Sequence, residues 1–224
     1  GATVLRVYQH AMRGFSMRAS AAAAGAIALD PRVERVEEDA VARAAQLVPA
    51  PGDVMTQLFP VWSLDRVDQH PPALDDRYSW AWGWDGRNVH AYVLDTGVAP
   101  GHFELFPRAS FALDALGEGE TGDCNGHGTH VAGTLAGERY GVAKGVLVRS
   151  VRVLGCAGDG KVSDLVAGLD WVIANHAQPA LVNLSVFSGP SPALDDAVEA
   201  AVAAGIPVVV AAGDGGKDAC EVSP

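Results

Sequence analysis

The sequence contains no apolar run long enough to cross a membrane, and few of its residues are basic. Its apolar stretches at residues 89–94 and 206–212 have the length of strands. The 224 residues include 16 Lys or Arg against 27 Asp or Glu, which gives a formal net charge of −11. A nucleic-acid-binding protein normally presents a basic face, so we expect neither a nucleic acid nor a membrane as a partner.

Cysteine is also scarce, with three residues at Cys124, Cys156 and Cys220. An odd number in a secreted protein implies a free thiol or a pairing partner elsewhere, whereas three scattered cysteines in a cytosolic protein would indicate little. Hydrophobic residues make up 49% of the chain, so a packed core is expected rather than disorder.

A stretch rich in Pro and Gly, at residues 48–53, divides the chain into a small first part and a larger second part. The first part is predicted to contain strands at residues 4–8 and 14–18 and an alanine-rich helix. Ser20 is the expected cap of that helix, which ends near Pro31. Residues 33–37 are predicted to form an edge strand, because two of the five are β-branched.

The second part alternates between strand and helix patterns. We predict strands at 89–94, within 146–154, at 180–186 and at 206–212, a helix capped by Ser163, and a helix from Pro192 to near Gly205. This alternation predicts an α/β fold with a parallel sheet, in which chemistry sits at the carboxyl ends of strands. That edge would hold Asp95, residues 185–189, and the pair Gly213 and Asp214.

Two motifs in the second part carry chemically useful side chains. Asp95 directly follows an apolar strand in the segment Asp-Thr-Gly, where it could orient a histidine or simply begin a turn. Residues 125–133 read Asn-Gly-His-Gly-Thr-His-Val-Ala-Gly, and the glycines flanking His127 would let its backbone approach another segment closely. A metal site at His127 and His130 is the alternative, but no Glu stands between them and no third ligand suggests itself.

These two motifs resemble the Asp and His motifs of subtilisin-type serine proteases, in the same order along the chain. Residues 62–68, 151–156 and 219–224 resemble the proteinase K branch, and residues 30–39 resemble the end of an inhibitor I9-type propeptide. The resemblance implies a subtilisin-like parallel sheet with helices on both faces, preceded by a small α+β, ferredoxin-like propeptide. It divides the chain into a propeptide (1–46), a linker and processing region (47–61) and part of a peptidase domain (62–224).

The resemblance also implies roles for individual residues. His127 would be the general base and Asp95 would fix its tautomer. The residues expected to pair with an extended substrate are Ser185, Val186 and Phe187, and those expected to line the pocket for the residue before the scissile bond are Ala211, Ala212 and Gly213. Cys124 and Cys156 would form a disulfide, and the partner of Cys220 would lie beyond Pro224.

Three features depart from the family pattern. The nucleophile motif Gly-Thr-Ser-Met-Ala does not occur in the 224 residues, Asp214 stands where the family has its oxyanion asparagine, and Phe187 replaces a glycine. Phe187 would either crowd the substrate groove or be accommodated by altered loops, and the sequence leaves both open.

The functional prediction is a secreted, monomeric serine endopeptidase whose nucleophile lies beyond Pro224, so that the 224-residue chain is itself inactive. Its expected partners are a polypeptide substrate and its own propeptide. The alternatives are a catalytically dead member that binds peptides or partners, and a truncated, non-functional chain. No cofactor is expected; calcium is common in the family, but its ligands are not assignable. Residues 44–46 and 55–57 both resemble the start of a mature domain.

Overall fold

The chain is organised as two units, Gly1–Val48 and Pro49–Pro224. The computed structural model describes residues 2–8, 14–37, 54–70, 73–216 and 218–224. The stretch at residues 48–53, where the sequence predicts a division, lies outside the described residues, as does the candidate mature start at 44–46.

The first unit contains a hairpin and a short helix. Strands β1 (Thr3–Tyr8) and β2 (Gly14–Arg18) pair in antiparallel fashion, and α1 spans Ala21–Ala28. The Ser20 hydroxyl accepts a hydrogen bond from the Ala23 amide at 3.3 Å, as its predicted capping role requires. The predicted edge strand at residues 33–37 is wrong. This segment follows a turn closed by the Val33 amide on the Asp30 carbonyl and has no strand to pair with among the described residues.

The second unit begins with a small antiparallel pair, β3 (Val54–Leu58) and β4 (Arg77–Ala81), with the helix α2 (Trp62–Val67) between them. The remaining elements follow in chain order: β5 (His90–Asp95), β6 (Ala109–Asp114), α3 (His127–Ala136), β7 (Leu147–Arg152), α4 (Val162–Asn175), β8 (Ala180–Leu184), α5 (Pro192–Ala203), β9 (Val208–Val210) and a 3-10 turn at Ala219–Glu221.

Five of these strands form one parallel sheet in the order β6-β7-β5-β8-β9. Side chains alternate along the central strand β5, so each face of the sheet has its own core. Tyr92 and Leu94 belong to one buried cluster with residues of α4 and α5, whereas Ala91 and Val93 belong to the other with residues of α3. The predicted parallel sheet with helices on both faces is therefore confirmed.

Several predicted boundaries need correction. Helix α4 is capped at Lys161, whose amide donates to the Asp164 carboxylate at 3.1 Å, and Ser163 lies inside the first turn. The last strand, predicted at 206–212, is limited to Val208–Val210, and it begins later than predicted because the Ile206 amide bonds to the Ala201 carbonyl and closes the turn that ends α5. Among the described residues, no helix is both long and apolar enough to span a bilayer.

Candidate active site

Asp95 is the last residue of the central strand and is completely buried. Its backbone carbonyl accepts hydrogen bonds from the amides of Val153 and Leu154, at 2.9 and 3.2 Å. These bonds fix the end of β5 beside the residues that follow β7. Its Oδ1 accepts a hydrogen bond from the Thr96 amide at 2.7 Å. Oδ2 is also buried and has no hydrogen-bond partner among the described residues. The carboxylate is therefore held at a fixed position on the carboxyl edge of the sheet.

His127 begins helix α3 and faces this carboxylate. Its Nδ1 lies 2.7 Å from Oδ1 of Asp95, and half of its side chain remains exposed to solvent. When Nδ1 carries the proton and donates it to Asp95, Nε2 is left as a free acceptor on the exposed side of the ring. The structure thus brings together the two residues that the sequence singled out, in an arrangement that can accept a proton from a bound molecule.

Two glycines make this approach possible. A Cβ on Gly128 would lie 2.0 Å from the Gly97 carbonyl oxygen and 3.0 Å from the Cβ of Asp95. A Cβ on Gly97 would lie 2.0 Å from the carbonyl oxygen of Gly122, and Gly97 also has a φ of +108°. Helix α3 can therefore start against the end of β5 only because neither position carries a side chain.

A second carboxylate, that of Asp123, ties the two elements together. Its Oδ1 accepts hydrogen bonds from Thr96 Oγ1 at 2.9 Å and from the Gly126 amide at 2.8 Å. Its Oδ2 accepts both the amide and the hydroxyl of Thr129, at 2.9 and 2.6 Å. Burial alone would raise the pKa of Asp123, but the hydrogen bonds from Thr129, Gly126 and Thr96 outweigh it and hold that pKa below its ordinary value.

The loop before His127 is anchored by a disulfide between Cys124 and Cys156, whose Cα atoms are 5.1 Å apart. Asn125 reinforces this link, because its Nδ2 donates to the Cys156 carbonyl at 3.0 Å while its Oδ1 accepts the His127 amide at 3.2 Å. Cys220 is exposed and free.

The other predicted site residues lie where β8 and β9 end. Residues 185–187 continue beyond β8, and their backbone groups hydrogen bond to no other backbone group in the described part of the chain. Residues 211–214 continue beyond β9, with the Ala211 amide bonded to the Leu184 carbonyl at 3.0 Å and with Ala212, Gly213 and Asp214 exposed. The parallel sheet therefore brings both segments to the edge where Asp95 lies.

Open cavities occur in the described part of the second unit, and two of them differ in their relation to the site. One, of about 350 Å³, lies between α3 and β8 and is lined by His130, Val131, Thr134, Leu135, Val142, Asn183 and Ser185. The larger, of about 500 Å³, is lined by residues of β3, β4 and the segment after α3, and includes neither Asp95 nor His127. Across the described residues, no group of three or more His, Cys, Asp or Glu side chains could hold a metal ion.

The sequence reasoning missed Asp123, Thr96 and Thr129. Asp123 could have been predicted from the sequence, because an Asp shortly before a helix is a common cap that accepts hydrogen bonds from the amides of the first turn. No pattern along the chain reveals that the same carboxylate also binds the hydroxyl of Thr96, since that contact depends on the fold.

Each of the two units matches a known protein family. Residues 86–223 match the Subtilase family, and residues 1–45 match the Peptidase inhibitor I9 family. The chain is 46% identical, over 225 aligned residues, to an extracellular serine proteinase of Thermus sp. (strain Rt41A), covering 100% of this chain and 52% of that protein. It is 42% identical to alkaline serine exoprotease A of Vibrio alginolyticus, covering 97% of this chain and 40% of the relative.

A solved structure gives the same result. The crystal structure of a cold adapted subtilisin-like serine proteinase is 45% identical and superposes with a TM-score of 0.71, covering 74% of this chain and 60% of that one. The chain thus spans about half the length of the curated relatives it matches.

Proposed function

The chain belongs to the subtilase family and carries an inhibitor I9-type segment at residues 1–45, and from this premise we propose that the protein is a secreted serine endopeptidase. The observation that carries the proposal is the 2.7 Å contact between Nδ1 of His127 and Oδ1 of the buried Asp95. Secretion is supported by the name of one relative, an extracellular serine proteinase.

In the proposed mechanism His127 is the general base. Asp95 accepts a hydrogen bond from Nδ1–H and thereby keeps the lone pair of Nε2 directed away from the carboxylate. Nε2 removes the proton from a serine hydroxyl as that oxygen attacks the peptide carbonyl, and it then delivers the proton to the leaving amine. The buried charge of Asp95 stabilises the imidazolium that forms between these two steps.

The nucleophile is proposed to be a serine outside these 224 residues. The family motif Gly-Thr-Ser-Met-Ala does not occur in the sequence, and no hydroxyl among the described residues hydrogen bonds to Nε2 of His127. The 224-residue chain alone is accordingly proposed to be inactive, whereas the full-length natural protein carries the activity.

The substrate is proposed to be an extended polypeptide that pairs with residues 185–187. Their backbone donors and acceptors make no other backbone hydrogen bond among the described residues, and they lie one strand away from Asp95. Pairing with such a segment adds a strand through main-chain hydrogen bonds, which do not distinguish side chains. Sequence selectivity must then come from the side chains that flank this segment.

The first unit is proposed to be a propeptide, at residues 1–46, and a natural partner of the peptidase part. The I9 match over residues 1–45 and the unit boundary after Val48 support this assignment. Of the proposed processing region at 47–61, residues 54–58 form β3 and pair with β4. The peptidase part is proposed to act as a monomer.

The test is labelling with a serine-reactive fluorophosphonate. We expect the full-length natural protein to be labelled, its His127→Ala variant to be unlabelled, and a His176→Ala control, changed at the far end of α4, to be labelled normally. The isolated 224-residue chain should not react. Stoichiometric labelling of that chain would overturn the proposed location of the nucleophile. A full-length protein that does not react would instead favour the peptide-binding alternative.

A further inference from the structure

The phenyl ring of Phe187 lies near Gly213, with room for a methyl group between them. A Cβ placed on Gly213 would be 3.7 Å from Cδ2 and 3.8 Å from Cγ of Phe187, which is ordinary van der Waals contact. Phe187 follows β8 and Gly213 follows β9, and these two strands are neighbours in the sheet. The ring therefore extends from the segment that follows β8 toward the segment that follows β9.

The segment that contains Val222 and Ser223 also lies close to Phe187 in the chain fold, because it is bridged to Ser188. Ser188 and Ser223 form an antiparallel bridge, with N–O distances of 2.7 and 3.3 Å, and the Ser223 hydroxyl accepts the Ser191 amide at 2.8 Å. This bridge holds Val222 near Gly213, because Cγ2 of Val222 would be 3.9 Å from the same Cβ on Gly213. The Phe187 ring and the Val222 side chain therefore both approach Gly213, and 45% of Phe187 is exposed to solvent.

An extended peptide paired with residues 185–187 would place one of its side chains between the segments that follow β8 and β9. Successive side chains of a strand point to opposite faces, so the residue that turns toward the sheet edge must share that space with the ring. A small side chain can lie over the phenyl face, whereas a large one would have to displace the ring from its position near Gly213.

We propose that Phe187 fills the recess between the exits of β8 and β9 and so restricts the substrate residue that enters it to glycine, alanine or serine. This assignment rests on the proposed function, because it assumes that the peptide pairs with residues 185–187. It makes Phe187 a specificity-determining residue, which acts through volume and takes no part in the chemistry.

The experiment measures peptide binding and therefore needs no nucleophile. The peptides acetyl-Ala-Ala-Ala-Ala-amide and acetyl-Ala-Ala-Ala-Phe-amide are titrated by NMR into the 224-residue chain and into its Phe187→Ala and Phe187→Leu variants. Phe111→Ala is the matched control, because Phe111 is 40% exposed and lies on β6, at the opposite edge of the sheet.

We expect the unchanged chain to bind the alanine peptide in preference to the phenylalanine peptide by about 10-fold or more. Phe187→Ala should reverse this order, Phe187→Leu should give an intermediate ratio, and Phe111→Ala should leave the ratio unchanged. Contact between ring protons of Phe187 and the α-protons of Gly213, read from NOE spectra, should disappear when the alanine peptide is replaced by a larger one that still binds.

The outcomes separate the two proposals. Binding of both peptides with the same ratio in the unchanged chain and in Phe187→Ala would overturn the role of Phe187 and leave the peptide site intact. No shift of residues 185–187 with any peptide would overturn the peptide site itself, and the assignment of Phe187 with it. In the full-length natural protein the same ratios are read as kcat/KM on the corresponding peptide anilides.

Discussion

Thr96 donates its hydroxyl hydrogen to Asp123 at 2.9 Å, and this bond joins the residue after Asp95 to the loop before His127. Thr96 Oγ1 in turn accepts the amide of Gly128 at 3.0 Å. The carboxylate of Asp123, which contacts neither Asp95 nor His127, therefore helps to hold the two residues at their observed distance. Three predictions concern this framework, and a fourth concerns the proposed oxyanion site.

Replacement of Asp123 with Asn should destabilise the protein by about 1–3 kcal/mol, because an amide nitrogen would face donors that the carboxylate now accepts. The pKa of Asp123 is lowered in the folded state. Its stabilising contribution is therefore complete above the unfolded-state value of about 4 and is lost as the pH falls through the folded-state pKa. Urea unfolding should show a gap between the two proteins at pH 7 that closes below about pH 4.

Asp170→Asn is the control for this comparison, since Asp170 is exposed on α4 and should leave the free energy of unfolding unchanged at every pH. A gap for Asp123→Asn that persisted unchanged to pH 2 would contradict the electrostatic origin of the effect.

Gly128→Ala should displace His127 from Asp95, because the new Cβ would lie 2.0 Å from the Gly97 carbonyl oxygen, which is backbone and cannot move aside cheaply. Gly133→Ala is a matched change in the same helix with nothing within 4 Å, and it should stabilise α3. We expect a gain of about 0.5–1 kcal/mol for Gly133→Ala and a clear loss for Gly128→Ala. Thermal unfolding measures both, and the imidazole NMR signals of His127 should shift only in Gly128→Ala. Similar melting temperatures for the two variants would disprove the close contact.

Loss of the Cys124–Cys156 disulfide should destabilise the protein by about 3–4 kcal/mol in the chain-entropy account of a loop with a sequence separation of 32. In the 224-residue chain, where Cys220 is free, the double change Cys124→Ser and Cys156→Ser should also speed amide exchange at the start of α3, whereas Cys220→Ser should change neither quantity. Peptide mapping without reduction checks the pairing, and a Cys156–Cys220 linkage would refute it.

Asp214→Asn should raise the turnover of the full-length natural protein. An ionised carboxylate donates no hydrogen bond and repels a developing oxyanion, whereas an amide can donate. Loss of the corresponding asparagine donor in subtilisin lowers turnover by about 10²–10³-fold, and a gain toward that size is expected here. Asp214→Ala separates the two causes, because it removes the charge without adding a donor and should give a smaller gain. Equal turnover in all three proteins would show that position 214 does not serve the oxyanion.

The sequence was most informative where one residue sits at a strand end or a helix start. Asp95 directly follows an apolar strand and His127 begins a helix between glycines, and the resemblance of these two motifs to those of subtilisin-type proteases, rather than the local pattern alone, singled out both residues. The parallel sheet was predictable from the local pattern, because alternating strands and helices leave few other arrangements.

The secondary-structure predictions were wrong where the local conformation depends on hydrogen-bond or packing partners outside the pattern that was used. Residues 33–37 have the β-branched content of a strand, but a strand forms only when another edge is available to pair with it. Ser163 is a good capping residue, yet the reciprocal bond between Lys161 and Asp164 begins α4 two residues earlier. The position of the Phe187 ring near Gly213 depends on the spacing of the segments that follow β8 and β9, which no single stretch of sequence encodes.

Strand β5 carries Asp95 at the centre of the sheet, but neither of its neighbours is adjacent to it along the chain. His90 is paired with Leu147 on one side and with Ala180 on the other. Each pairing closes a long loop. The chain loses conformational entropy when the loop closes, before the contacts of the sheet have formed to offset that loss. Formation of this sheet is therefore expected to be a slow step of folding, completed only after most of the second unit has been synthesised. Until β7 and β8 arrive, the apolar β5 has two open edges, and chains at this stage are the ones most exposed to aggregation.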